Sequence, residues 1–130
     1  MNKLCILKSF IVVMVVVLAG CSAEVSELSY KQISTEAAVE MMADEANYII
    51  LDVRTPEEYA EGHIVNAINI PNETIGSNEI DELPDKSQLI MIYCRSGNRS
   101  KQAADKLVKL GYTNIVEFGG INTWTGELVK

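Results

Sequence analysis

Histidine is nearly absent from this 130-residue chain and cysteine is scarce. There is one histidine, His63, and three cysteines, Cys5, Cys21 and Cys94. A structural metal site built from such side chains takes about four ligands. A single His and a single available Cys do not supply them, so no metal and no other cofactor is expected. Basic charge is also short: 11 Lys and Arg stand against 18 Asp and Glu, a net charge of −7. An acidic chain is repelled by phosphate backbones, which argues against nucleic acid as a partner. Internal repeats, low-complexity blocks and signs of a second globular domain are missing. Long apolar runs are missing too, except near the N-terminus, where Phe10 to Leu18 follow Lys3 and Lys8. That run falls short of the about 20 residues a comfortable transmembrane helix needs. A positive start, a short apolar stretch and small residues after it describe a removable signal peptide over residues 1–20 rather than a retained membrane helix.

The small residues are "LAGC", Leu18 to Cys21. They resemble the lipobox of bacterial lipoproteins. The resemblance implies cleavage before Cys21, lipidation of Cys21, and an extracytoplasmic protein anchored to a membrane in the cell envelope or periplasm. Two or three acyl chains, as the resemblance implies, hold stably where one does not. Residues 21–29 then read as the lipidated cysteine and a polar tether, and residues 30–130 as the folded domain. On this reading Cys5 leaves with the signal and Cys21 is blocked, so Cys94 is the only thiol left. Extracytoplasmic proteins normally pair their cysteines. An unpaired one is either buried and inert or chemically employed. Loss of Lys3 and Lys8 leaves 9 basic residues of the 11 against 18 acidic ones. Five of those nine, Arg95, Arg99, Lys101, Lys106 and Lys109, lie close behind Cys94. A local positive feature on an acidic body favours a small anion there, although Lys101 and Lys106 also suit the solvated face of a helix.

Strands and helices alternate along residues 30–130. Residues 30–33 suit a short strand. Ser34 and Thr35 are helix-capping types, followed by Ala37, Ala38, Met41 and Met42 at helical spacing. "YIILDV", residues 48–53, reads as a strand buried on both faces. In "TPEEYAEG", Thr55 caps a helix, Pro56 takes its first position, Glu58 completes a capping box and Gly62 ends it. Residues 66–71 suit a brief strand, residues 75–83 a weak acidic helix, and residues 89–93 a central apolar strand. A helix is expected over residues 100–110, closed by Gly111. A last strand follows at 114–118, then a short terminal helix in which Trp124 packs. Such alternation predicts an α/β fold, a parallel sheet covered by helices on both faces. Sites in such sheets form at the carboxyl ends of strands, where Cys94 stands.

The stretch "CRSGNRS", Cys94 to Ser100, suits thiolate chemistry. A cysteine beside positive charge and a helix N-terminus ionises more readily. Gly97 lets successive amides of the loop turn inward as an anion-binding nest, and Ser96, Asn98 and Ser100 tolerate such turns. Arg95 and Arg99 carry planar donors suited to an oxyanion. Either binds substrate or pairs with a carboxylate behind the loop; the sequence leaves both open.

These residues match a family. Over about residues 30–128 the chain resembles the rhodanese domain. "ILDVRTPEEYAEGHIVNAINIP", Ile50 to Pro71, matches its Asp-Val-Arg and Gly-His-Ile segments, and "CRSGNRS" matches its active-site loop. Gly119, Gly120 and Trp124 fit its closing Gly-Gly-x-x-x-Trp pattern. The resemblance implies a five-stranded, mainly parallel sheet. It also implies sulfur transfer: Cys94 takes the outer sulfur of thiosulfate or a similar anionic donor, forms a persulfide, and passes it to cyanide or a thiol. Substrate binding by Arg95, Ser96, Gly97, Asn98, Arg99 and Ser100 is expected, with a protein thiol as one acceptor. Tyrosine-type phosphatases, with loops of the Cys-x5-Arg form, have one residue more than separates Cys94 from Arg99. The alternative role is a binding or persulfide-relay module of the cell envelope with little turnover.

Asp52 and Arg54 close the second strand and are expected to support the loop structurally, Asp52 bonding amides or an arginine. His63, after Gly62, is expected to stabilise a turn rather than act as a base. Glu57, Glu58 and Glu61 read as capping and surface residues.

Overall fold

The computed structural model describes Gly20 and residues 29–130. Residues 1–19 of the signal segment, Cys21 and most of the tether lie outside the described residues. Five parallel strands form one sheet: β1 (Lys31–Gln32), β2 (Tyr48–Asp52), β4 (Ile68–Asn69), β5 (Leu89–Cys94) and β6 (Ile115–Gly120). Their order is β1-β6-β5-β2-β4, so β5 lies at the centre between β2 and β6. Helices α1 (Thr35–Asp44), α2 (Pro56–Glu61) and α3 (Asn98–Lys109) connect them. A separate antiparallel ribbon joins β3 (His63–Ile64) to β7 (Leu128–Val129).

Strand alternation divides the core in two. Leu51, Val53, Ile90, Ile92 and Cys94 face α3 and pack with Ala103, Ala104 and Leu107. Ile50, Met91, Tyr93, Val116 and Phe118 face the other way, toward Ala38 and Met41 of α1 and Tyr59 of α2. Successive strand residues point to opposite faces, so one continuous apolar run supplies both layers. The helices start as their capping residues dictate. Ser34 Oγ accepts from the Ala37 amide at 3.1 Å, and Thr55 Oγ1 from the Glu58 amide at 3.2 Å. At the end of α3, Tyr112 N–H bonds the Leu107 carbonyl at 3.1 Å and Gly111 N–H the Val108 carbonyl at 3.0 Å. That is a Schellman closure, with Gly111 where the sequence places it.

Four expectations need correction. Residues 75–83 form no helix. Gly76, Ser77 and Asn78 are poor helix formers, and Ile75 and Leu83 instead anchor an irregular segment individually in the α3-side core. Helix α3 begins at Asn98, two residues early, because Gly97 adopts the left-handed conformation (φ 114) and turns the chain straight into it. The terminal helix is a single 3-10 turn, Ile121–Thr123. Trp124 follows it, half-buried, with its ring 5.8 Å from that of Phe118. Finally, the capping box at α2 is only half made: the Glu58 carboxylate turns to Arg99.

Candidate active site

Cys94 is the last residue of the central strand, and its side chain lies on the α3 face. The residue is buried, with 1% of its surface exposed. Its Sγ accepts the Gly97 amide at 3.0 Å and lies 3.4 Å from Ser100 Oγ. Burial alone pushes the thiol up. Against it act the Ser100 hydroxyl and the amides of Ser100, Gly97 and Ser96, and the net result is a pKa below the ordinary 9.0. The cause is hydrogen bonding to the charged form. Three of these donors are backbone groups of the turn into α3, held by the fold itself. The sequence suggests inward-turning amides over residues 95–99; the amides that act on the sulfur are those of 96, 97 and 100.

The two arginines separate. Arg99, on the first turn of α3, meets Glu58 of α2 in a two-pronged pair, at 3.0 and 2.9 Å. Each partner strengthens the other's charge. The Arg99 bond to Glu58 is the largest influence lowering the Glu58 carboxyl, and the Glu58 bond likewise raises Arg99. Arg95 is exposed, and among the described residues its guanidinium has no hydrogen-bond partner. Ser96 and Asn98 are also exposed, while Gly97 and Ser100 are buried beneath them. The expected six-residue set is thus brought together as an outer polar rim and an inner wall.

Asp52 and Arg54 were expected to support the Cys94 loop; they pair with each other and brace a different segment. Asp52 accepts from the Arg54 amide at 2.8 Å and pairs with its guanidinium at 2.7 Å. Arg54 reaches on to the Gly62 carbonyl at 2.7 Å, and Tyr93 donates to Asp52 at 2.6 Å while accepting from the Ile64 amide at 3.1 Å. None of these bonds reaches the Cys94 loop. The reason is alternation: Asp52 and Tyr93 point to the face opposite Cys94. His63 stacks on Tyr59 with ring centroids 3.6 Å apart, and its Nδ1 lies 2.9 Å from the Tyr59 carbonyl. It stabilises the turn after α2, as expected.

The residue that does support the loop was not singled out. Glu117, in the middle of β6, is 2% exposed and accepts from Ser100 Oγ at 2.6 Å and from the Gly119 amide at 2.8 Å. Its signal was an acidic residue inside an apolar strand, "NIVEF". Among the described residues no group of three or more metal-ligating side chains exists.

A hydrogen-bonded cysteine ending the central strand of a parallel α/β domain is an arrangement suited to thiol chemistry. The comparisons narrow it. Residues 34–127 match the family model of the rhodanese-like domain. The thiosulfate sulfurtransferase PspE of Escherichia coli is 38% identical over 80 residues, covering 62% of this chain and 77% of that one. A sulfurtransferase of Allochromatium vinosum is 37% identical over 94 residues, 72% of this chain and 86% of that one. Among solved structures, a rhodanese from Escherichia coli with bound anions superimposes with a TM-score of 0.59 at 35% identity, covering 64% of this chain and 98% of that one. A rhodanese-like domain protein of Staphylococcus aureus gives 0.64 at 34% identity, covering 75% and 93%. The chain belongs to the rhodanese family, a rhodanese-type sulfurtransferase.

Proposed function

We propose that the chain moves a sulfane sulfur from thiosulfate, or a similar anionic donor, to cyanide or a thiol through a persulfide on Cys94. The observation that carries this reading is the sulfur itself: a depressed thiol with a backbone amide 3.0 Å away, under a rim holding an unpaired arginine. In the first half-reaction the Cys94 thiolate attacks the outer sulfur of thiosulfate. The S–S bond breaks and its electron pair leaves on sulfite. In the second, cyanide carbon or a thiolate attacks the outer sulfur of the persulfide, and the pair of the broken S–S bond returns to Sγ. Charge on sulfur is stabilised by fixed amides that need no reorganisation. Arg95 is the guanidinium available to the donor's sulfonate oxygens, because Arg99 is engaged by Glu58.

A two-step covalent route gives ping-pong kinetics. Thiocyanate formation from thiosulfate and cyanide is therefore expected to yield parallel double-reciprocal lines; intersecting lines would contradict the route. Membrane anchoring through Cys21 rests on the lipobox resemblance. Palmitate label should be lost in a Cys21→Ala chain, and label that persists would sink that assignment.

A further inference from the structure

Ser100 has one hydroxyl proton and four neighbours that can accept it, Cys94 only once its own thiol proton, which points at Ser100 Oγ, has left. The Glu117 carboxylate is nearest at 2.6 Å, then the Gly97 carbonyl at 2.9 Å, with the Gly119 carbonyl and Cys94 Sγ at 3.4 Å. The amides that stabilise the Cys94 thiolate are fixed in place; among the described residues this hydroxyl is the one donor to it that can turn. Glu117 is buried, and among the described residues no cation pairs with it. A buried carboxylate without a cation depends on its hydrogen-bond donors, here Ser100 and the Gly119 amide. Charge-assisted O–H···O⁻ bonds are short and strong. The proton therefore sits toward Glu117 when that group is ionised.

We propose that Glu117 is a positioning residue that competes with Cys94 for the Ser100 proton and so sets how tightly negative charge on the sulfur is held. The proposal rests on Cys94 being the reacting sulfur. When Sγ becomes charged, as thiolate or as the leaving sulfur of a persulfide, Ser100 must turn from Glu117 to supply it. Charge on 117 opposes that turn. The sulfur is left less stabilised, and a stronger nucleophile, than the amides and a free hydroxyl together would make it. Other charges face the pair. Arg99 of α3 acts on Cys94; the Tyr30 hydroxyl, before β1, faces Glu117, and Asp105 of α3 faces Tyr30.

The test is the pH dependence of iodoacetamide alkylation at Cys94 in the full chain, read on the Cys94-containing peptide by mass spectrometry. It reports thiol ionisation without requiring sulfur transfer, so its failure is distinguishable from failure of the proposed reaction. In Glu117→Gln the midpoint should move to lower pH, with the rate below the wild-type midpoint raised roughly threefold or more because the released Ser100 hydroxyl then bonds the charged sulfur. The plateau rate at high pH should fall, because a better-stabilised thiolate is a weaker nucleophile. A damaged fold would lower the plateau without that shift in midpoint. In a Ser100→Ala background the Glu117→Gln shift should shrink. An unmoved or raised midpoint, or the same shift without the hydroxyl, would overturn the proposal. Ser100→Ala alone decides the matter should Glu117→Gln not fold. With the proton held mostly by Glu117, the midpoint should rise only slightly, and a large rise would contradict the competition.

Discussion

Cys94→Ser is expected to abolish sulfur transfer, lowering thiocyanate formation on the order of 10³-fold or more, the scale seen when a covalent nucleophile is removed. The fold should survive. Cys94 is a small side chain beside the Gly97 amide and Ser100 Oγ, and both are as suited to a hydroxyl as to a thiol. The loss is chemical. A serine hydroxyl stays protonated where the thiol, held below its ordinary 9.0, ionises. Oxygen also lacks the affinity for sulfur that makes the persulfide a workable intermediate. The sign of the pH dependence follows. Because the folded pKa is depressed, thiolate persists below the ordinary thiol range, and loading should fall only as pH drops through that depressed value. Parallel melting curves would separate loss of chemistry from loss of fold. A variant that turned over at the wild-type rate would remove Cys94 from the mechanism.

Gly120→Ala should also be damaging, though less so, without touching any side chain that acts on substrate. Gly120 pairs with Cys94 across β6 and β5. A Cβ there would run into the backbone carbonyl of Arg95 and come within 2.6 Å of the Ser96 nitrogen. Both belong to the loop, and backbone does not yield as a side-chain tip does. The loop must lift, and the amides around the sulfur move with it. Overpacking of this kind costs about 1–3 kcal/mol, and misplacement of reacting groups by about 1 Å can cost about 10²-fold in rate. Melting temperature and thiocyanate rate should both fall, the rate by the larger proportion. A wild-type rate would mean that the loop geometry is not what activates Cys94. The Gly-Gly of the closing pattern thus has a physical reason at its second residue: the active-site loop rests on it.

The frame of the molecule was legible because its signals are local. "YIILDV" and "LIMIY" are unbroken apolar runs, and a strand covered on both faces needs such a run. Ser34, Thr55 and Pro56 mark helix starts through bonds made within one turn. Cys94 was legible because strand, thiol, glycine and helix follow in order. What escaped is long-range. The pairing of β3 with β7 joins residues far apart in the chain, and neither two-residue segment has a period to detect. Glu58 reads as a capping residue from its neighbours, and only the folded chain brings it Arg99, 41 residues further on. Asp52 and Arg54 were assigned to the wrong segment although alternation already placed Asp52 opposite Cys94. The same counting, carried into "NIVEF", puts Glu117 on the Cys94 face. An acid there should have prompted a search for its partner, since buried carboxylates are kept only when bonded.

The most direct measurement is the intact mass of the full chain after exposure to thiosulfate. The account predicts a gain of one sulfur atom, located on Cys94 by peptide mapping, absent from Cys94→Ser, and lost on addition of cyanide as thiocyanate appears. A chain that gains no sulfur, or carries it elsewhere, would contradict the persulfide route and favour a binding role for this domain.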